Sequence, residues 1–301
     1  MYPAAFRYFR ACTLEEALQM LAVLGEDARP LAGGQSLIPL MKLRFSQPSA
    51  LVDLQDVREL SRSGADNGAI RFAALATHSE IEESKAASQV PILHDCAAGI
   101  ADVQVRNRGT IGGSLAEADP TGDWAPVLLA LDSEVSCVGA QGERTISLPE
   151  FVLDAYTTVL RPTELIREVI VHQPPPHSGG AYMAFKRCPS VYATASVAVQ
   201  LRLRDSDDCE DCRIVVGSVG LTAIRAQEAE AQLNGQAVRQ ETIERAADAA
   251  AAATDPQSDL RGSADYKRVL LRSLVNRAVG IAVRRARGEH VEVSHEYTGR
   301  V

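Results

Sequence analysis

No stretch of this 301-residue chain holds the roughly 18 to 20 uninterrupted apolar residues that a membrane-spanning helix needs. The N-terminus, starting Met1, Tyr2, Pro3, lacks the basic-then-apolar layout of a secretory signal. Positive charge is not in excess either. Lys and Arg number 31 against 39 Asp and Glu, for a net charge of −8 and a pI near 5.4. That argues against nucleic acid as the main partner, because phosphate backbones are gripped by clustered cations. The local exception, Arg284, Arg285 and Arg287, is expected on the last turn of a helix, where cations suit the dipole. The six cysteines (Cys12, Cys96, Cys137, Cys188, Cys209 and Cys212) are mostly scattered, and they read as reduced thiols of a cytoplasmic protein. Cys209 and Cys212 form the one C-x-x-C. They have no second pair to complete a zinc or iron–sulfur site, and their acidic surroundings, residues 205–212, read as a hairpin loop. His78, His94, His172, His177, His290 and His295 show no H-x-x-x-H spacing, so no metal site is expected. A G-x-S-x-G nucleophile elbow is also missing, which leaves hydrolysis without support.

What the chain does contain is two glycine-centred segments, AGGQS at 32–36 and GTIGGS at 109–114. Each sits where a strand-like run gives way to a helix-like pattern. Glycine permits φ > 0 and lets main-chain N–H groups approach a ligand, and adjacent N–H groups at such a turn form an anion-binding concavity. Neither segment is a G-x-G-x-x-G fingerprint or a G-x-x-x-x-G-K-S/T phosphate loop, and a lone Gly-Gly is usually only a turn. Two of them together suggest a ligand with adjacent phosphates, such as a dinucleotide.

Around these segments the pattern predicts helix and strand in alternation. Thr13 and Glu16 form a capping box ahead of Leu14, Ala17, Leu18, Leu21 and Leu24, and Gly25 closes the helix. Residues 29–31 and 50–54 read as strands, with a helical run at 37–43 between them. Residues 69–75 read as a strand, Thr77 and Glu80 as a second capping box, and 91–99 as a helix. Val135–Val138 and Arg144–Leu148 flank a hairpin turn at 139–142. Pro174, Pro175 and Pro176, followed by Ser178, Gly179 and Gly180, read as a linker, where a domain boundary is placed. Beyond it, 196–203 and 213–221 are expected as antiparallel strands, and 225–234, 239–254 and 264–287 as helices. The expected fold class is α+β: an α/β domain of two subdomains, then a small antiparallel sheet packed with a helical bundle.

The run LAGGQSLIPLMKLR (31–44) and the LVDL at 51–54 resemble the flavin subunits of molybdenum hydroxylases. So do RNRGTIGGSLA (106–116), Asp119, Pro120 and Asp123, and, further on, AFKR (184–187), YAT (192–194) and SDLRG (258–262). The likeness extends to the medium subunits of aerobic carbon monoxide dehydrogenases, and it runs through nearly the whole chain. It implies a PCMH-type FAD-binding domain over 1–175, with subdomains of about 1–55 and 56–175, a flavoprotein C-terminal domain over 176–288 and a polar tail over 289–301. By the same resemblance, main-chain N–H groups of Gly33, Gly34, Gln35 and Ser36, and of Gly112, Gly113 and Ser114, hold the pyrophosphate, and Thr110 adds its hydroxyl. Leu31, Ala32, Leu37, Gly109, Ile111, Ala116, Gly122 and Leu165 are implied as further FAD contacts. Asp123 is matched to a carboxylate that accepts from cofactor hydroxyls; its alternative is a helix cap. Lys186 is matched to a cation near N1 and O2 of the flavin ring and Tyr192 to a ring cover, against the alternatives of a surface cation and a core aromatic. Gln35 stands where related folds carry a covalently linked histidine or cysteine, so FAD is expected to be non-covalent. No residue is expected to be catalytic in itself.

The function implied is electron transfer. Molybdopterin sits on a large partner subunit and two 2Fe–2S clusters on a small one, and this chain's FAD passes electrons to an external acceptor, in a dimer of heterotrimers. The rival readings are a self-contained flavin oxidase of the same fold and a non-enzymatic scaffold.

Overall fold

The computed structural model describes residues 2–66, 68–188 and 191–293; positions 294–301 of the expected tail, His295 among them, lie outside the described residues. The first unit runs β1 (Arg7–Arg10), α1 (Leu14–Leu24), β2 (Ala28–Leu31), α2 (Leu37–Lys42) and β3 (Ala50–Asp53). β3 lies between β1 and β2, parallel to both. Parallel neighbours need a crossover, which α1 and α2 supply. Thr13 caps α1 by accepting from the Glu16 amide at 3.1 Å, and Gly25 closes it at φ 75°.

The second unit holds β4 (Gly64–Asp66) and β5 (Ala69–Ala73), then the helices α3 (His78–Glu82), α4 (Lys85–Gln89), α5 (Pro91–Gly99), α6 (Val103–Arg106), α7 (Ile111–Glu117) and α8 (Trp124–Ala130). It continues through β6 (Glu134–Gly139), β7 (Gly142–Ser147), α9 (Leu148–Phe151), β8 (Val152–Asp154), β9 (Thr157–Thr158) and β10 (Leu165–His172). Its main sheet is antiparallel, in the order β4-β5-β10-β6-β7. Trp124, Phe151, Ile92 and Leu93 fill the core between this sheet and the helices. The capping box at Thr77 and Glu80 is complete.

The third unit is the antiparallel sheet β11 (Ser178–Phe185), β12 (Ala195–Leu203), β13 (Cys209–Gly217) and β14 (Ile224–Arg225), covered by α10 (Gln227–Leu233), α11 (Gln240–Ala252) and α12 (Ala264–Ala286). Here the structure corrects two expectations and adds to a third, which places Arg284 and Arg285 on the last turn of α12. Ser178, Gly179 and Gly180 are not linker but the start of β11; a Cβ on Gly179 would overlap the Ala282 carbonyl of α12, so the glycine permits the helix to pack against the strand. Cys209 and Cys212 lie within β13 rather than in the hairpin loop, both fully buried in the core of this unit and both free thiols. Arg285 does more than answer a helix dipole: it grips the buried Asp95 of α5 through its two terminal guanidinium nitrogens, at 2.5 and 2.9 Å, and so ties α12 to the second unit.

Candidate functional site

The two glycine segments meet at one wall of a cavity of about 860 Å³, within the range usual for ligand sites. The first segment joins β2 to α2, and Gly34 sits at φ 72°, which favours glycine. The second leads into α7. Their contact is direct. A Cβ on Gly33 would overlap the carbonyl oxygen of Arg108, and one on Gly113 would lie 3.8 Å from the Cβ of Ala32.

Their amides differ. Among the described residues, those of Gly33, Gly34, Gln35 and Ser36 find no protein acceptor, and the Ser36 and Ser114 hydroxyls are equally without one. Gly33, Gly34 and Ser36 are half-buried and Gln35 is exposed; four consecutive free amides on a cavity wall have the form of a binding loop. The second segment departs from expectation. Ile111 N donates to Ala76 O and Gly112 N to Ala74 O, both at 3.0 Å. Gly113 N donates to Thr110 Oγ1 at 3.1 Å and Ser114 N to Thr110 O at 3.0 Å. The amides of Gly112, Gly113 and Ser114 are therefore occupied within the fold. A Cβ on Gly112 would come within 2.7 Å of Ala74, so that glycine serves the packing of α7 on the end of β5. Thr110 is the cap of α7 and accepts rather than donates there, which leaves its hydroxyl proton available to the cavity it lines.

Of the other residues singled out from sequence, Leu31, Ala32, Leu37, Gly109, Ala116, Gly122, Asp123, Leu165, Lys186 and Tyr192 all line the cavity. Ile111 does not. It is fully buried in the second unit's core, because the first residue of α7 faces the sheet.

Asp123 stands at the cap position of α8 but makes no capping bond. Its carboxylate instead accepts from the Tyr182 hydroxyl at 2.6 Å and from Lys186 Nζ at about 3 Å. Lys186 also donates to the Gly99 carbonyl at 2.7 Å, and its side chain is 2% exposed. Lys186 is thus no surface cation but one half of a buried ion pair joining the second unit to the third. Tyr192 is half exposed at the cavity edge, with the Arg261 guanidinium 5.8 Å from its ring centre; burial raises its hydroxyl pKa.

Sequence reasoning passed over His78, whose signal was the capping box that places it first in α3. Its amide donates to Gly109 O at 3.0 Å and its Nδ1 accepts from Trp124 Nε1 at 3.0 Å, so it braces the second segment from behind. Burial, with help from Arg106, pulls its pKa from 6.5 to about 4. A group whose folded pKa is depressed in this way is neutral in the fold and protonated in the unfolded chain between those values. Stability is therefore full above pH 6.5 and falls as pH drops toward 4, by on the order of 3 kcal/mol. Urea denaturation across that window should show His78→Gln losing less stability than the parent. Parallel curves would remove His78 as the cause.

A family model described as the FAD binding domain in molybdopterin dehydrogenase matches residues 4–174. The chain belongs to the FAD-binding medium subunits of the molybdopterin hydroxylases. A second model, the CO dehydrogenase flavoprotein C-terminal domain, matches residues 180–282 of this medium subunit. It is 42% identical over 296 residues to the 6-hydroxypseudooxynicotine dehydrogenase complex subunit alpha of Paenarthrobacter nicotinovorans, covering 98% of this chain and 100% of that one. It is 36% identical to the carbon monoxide dehydrogenase medium chain of Hydrogenophaga pseudoflava, covering 94% and 98%. Among solved structures, the Hydrogenophaga pseudoflava carbon monoxide dehydrogenase lacking the Mo-pyranopterin moiety superimposes with a TM-score of 0.91 at 38% identity, over 95% of this chain and 99% of that one. Quinoline 2-oxidoreductase from Pseudomonas putida 86 does so with 0.90 at 33%, over 95% and 99%. The chain is an oxidoreductase subunit of this type. Among the described residues, no helix is long and apolar enough to cross a membrane, and no cluster of His, Cys, Asp or Glu could hold a metal.

Proposed function

We propose that this medium subunit binds one FAD non-covalently in the cavity and works as the electron-transfer component of a cytoplasmic molybdenum hydroxylase. Electrons arrive from 2Fe–2S clusters on a small partner subunit, downstream of a molybdopterin-bearing large subunit, and leave to an external acceptor. The observation that carries this reading is the run of unpaired amides from Gly33 to Ser36 on a cavity of ligand size. FAD, when bound, supplies redox chemistry in one- or two-electron steps; the chain's own residues bind and orient it. The Gly33–Ser36 amides, with the hydroxyls of Ser36, Thr110 and Ser114, are the donors for its pyrophosphate. Asp123 keeps lone pairs for a cofactor hydroxyl. Lys186, beside Asp123, and Tyr192 serve the ring end. The FAD-binding domain spans residues 1–175 and the C-terminal domain 176–288.

Attachment through histidine or cysteine is not supported: among the described residues no cysteine lines the cavity, and its one lining histidine, His78, is engaged by Trp124 and set against Gly109. The test is the visible spectrum of the purified chain before and after acid denaturation. Flavin bands at one per chain that leave the protein on denaturation are the expected result. A colourless chain that takes up no added FAD would sink the proposal, and flavin that stayed attached would sink its non-covalent part. Co-purification with an iron–sulfur chain and a molybdopterin chain tests the assembly.

A further inference from the structure

Tyr182 lies one layer behind the cavity, in β11 and 1% exposed, and does not line it. Its amide donates to Asp95 Oδ2 at 3.1 Å, on the carboxylate that Arg285 holds. Its hydroxyl donates to Asp123 Oδ1 at 2.6 Å. One residue of the third unit's sheet is thereby gripped by two carboxylates of the second unit. Its ring belongs to the second unit's core, with Ile92, Cys96 and Trp124. Asp95 takes no part in the cavity wall, whereas Asp123 does.

A carboxylate offers about four lone-pair sites. Tyr182 and Lys186 engage those of Asp123 from the protein side. Asp123 makes no capping bond to its own helix, and among the described residues Tyr182 and Lys186 are its hydrogen-bonding partners. Lys186 lines the cavity; Tyr182 does not. We infer that Tyr182 is the positioning residue of this site: its hydroxyl fixes the Asp123 carboxylate so that the free lone pairs meet a cofactor hydroxyl. The inference rests on the FAD reading above.

Tyr182→Phe retains the ring and its packing while removing one hydrogen bond to a charged group. The expected result in the full-length chain is FAD affinity lower by about 10-fold or more. The midpoint potential of the bound flavin should also fall, because a carboxylate with one donor fewer opposes added negative charge more strongly. Arg285→Lys is the comparison. It loosens the clamp on Asp95 without touching the phenol, and should lower the thermal midpoint with the flavin potential unchanged. If Tyr182→Phe behaves like Arg285→Lys, less stable but with unaltered potential and affinity, Tyr182 is structural only and the inference is overturned. If Tyr182→Phe does not accumulate folded, 3,5-difluorotyrosine incorporated at position 182 preserves the shape with a stronger donor. The potential should then rise, and an unchanged value overturns the inference. A parent chain that binds no FAD overturns the FAD reading and this inference together, whereas normal FAD binding with an unaltered Tyr182→Phe overturns this one alone.

Discussion

Replacing Gly33 with valine is expected to abolish FAD binding. From sequence alone the reason is that a side chain would fill the space where backbone meets pyrophosphate. The structure moves the cause. The new Cβ would overlap the Arg108 carbonyl, so the substitution forces the two glycine segments apart and takes the Gly33–Ser36 amides out of line. Hydrogen bonds to a charged group contribute about 1.5–3 kcal/mol each. Losing two of them removes about 3–6 kcal/mol, or roughly 100-fold to 10,000-fold in affinity. Gly64→Val is the fitting control, since a Cβ there meets nothing within 4 Å. Titration of each purified variant with FAD decides the matter; a Gly33→Val chain with full flavin content would show that the first segment is not the phosphate loop.

Lys186→Met should act on stability and on the flavin at once. The ammonium and the Asp123 carboxylate are both buried, and breaking such a pair by removing one partner costs about 3–5 kcal/mol, because a charge is left unpaired in a poor solvent. Tyr182 still donates to Asp123, which places the expected loss toward the lower end. With FAD bound, the cation is gone and the carboxylate is uncompensated. Both changes disfavour added negative charge, so the midpoint potential should fall. Urea denaturation of the flavin-free chain and a redox titration of the loaded one read the two effects separately. Adding Asp123→Asn should recover much of the lost stability, as expected for directly coupled sites. A loss under about 1 kcal/mol with an unmoved potential would return Lys186 to an ordinary structural role.

Several elements were legible because their cause is local. The capping residues Thr13 and Thr77 sit where side chain and backbone are within three positions of each other, and both helices start as read. The turn between β6 and β7 follows from Gly139 and Gly142, which pair across it. Strand β12 and the three helices after residue 225 were also legible, whereas β13 runs Cys209–Gly217 rather than over 213–221. Nothing in the sequence reading marks β10, although it is the middle strand of the second sheet; its exposure pattern is irregular and a register shift interrupts its pairing with β6. Cys209 and Cys212 misled for a related reason. Acidic neighbours resemble a loop, yet Glu210 and Asp211 are the exposed positions of a strand whose cysteines face inward.

Residue types and their order determined the family, the two glycine segments and less than half of the cavity's lining, because those are properties of short stretches and of backbone room. Which amides remain free was decided only in three dimensions. Gly112 and Gly113 look from sequence like Gly33 and Gly34, but Ala74, Ala76 and Thr110 take up the donors of the second segment and leave the first exposed. The partners of Asp123 were likewise beyond local pattern, since Tyr182 and Lys186 lie 59 and 63 residues away. A hydrogen bond satisfied across such a distance depends on how sheets and helices dock, and burial then converts that docking into the charge and donor pattern of the site.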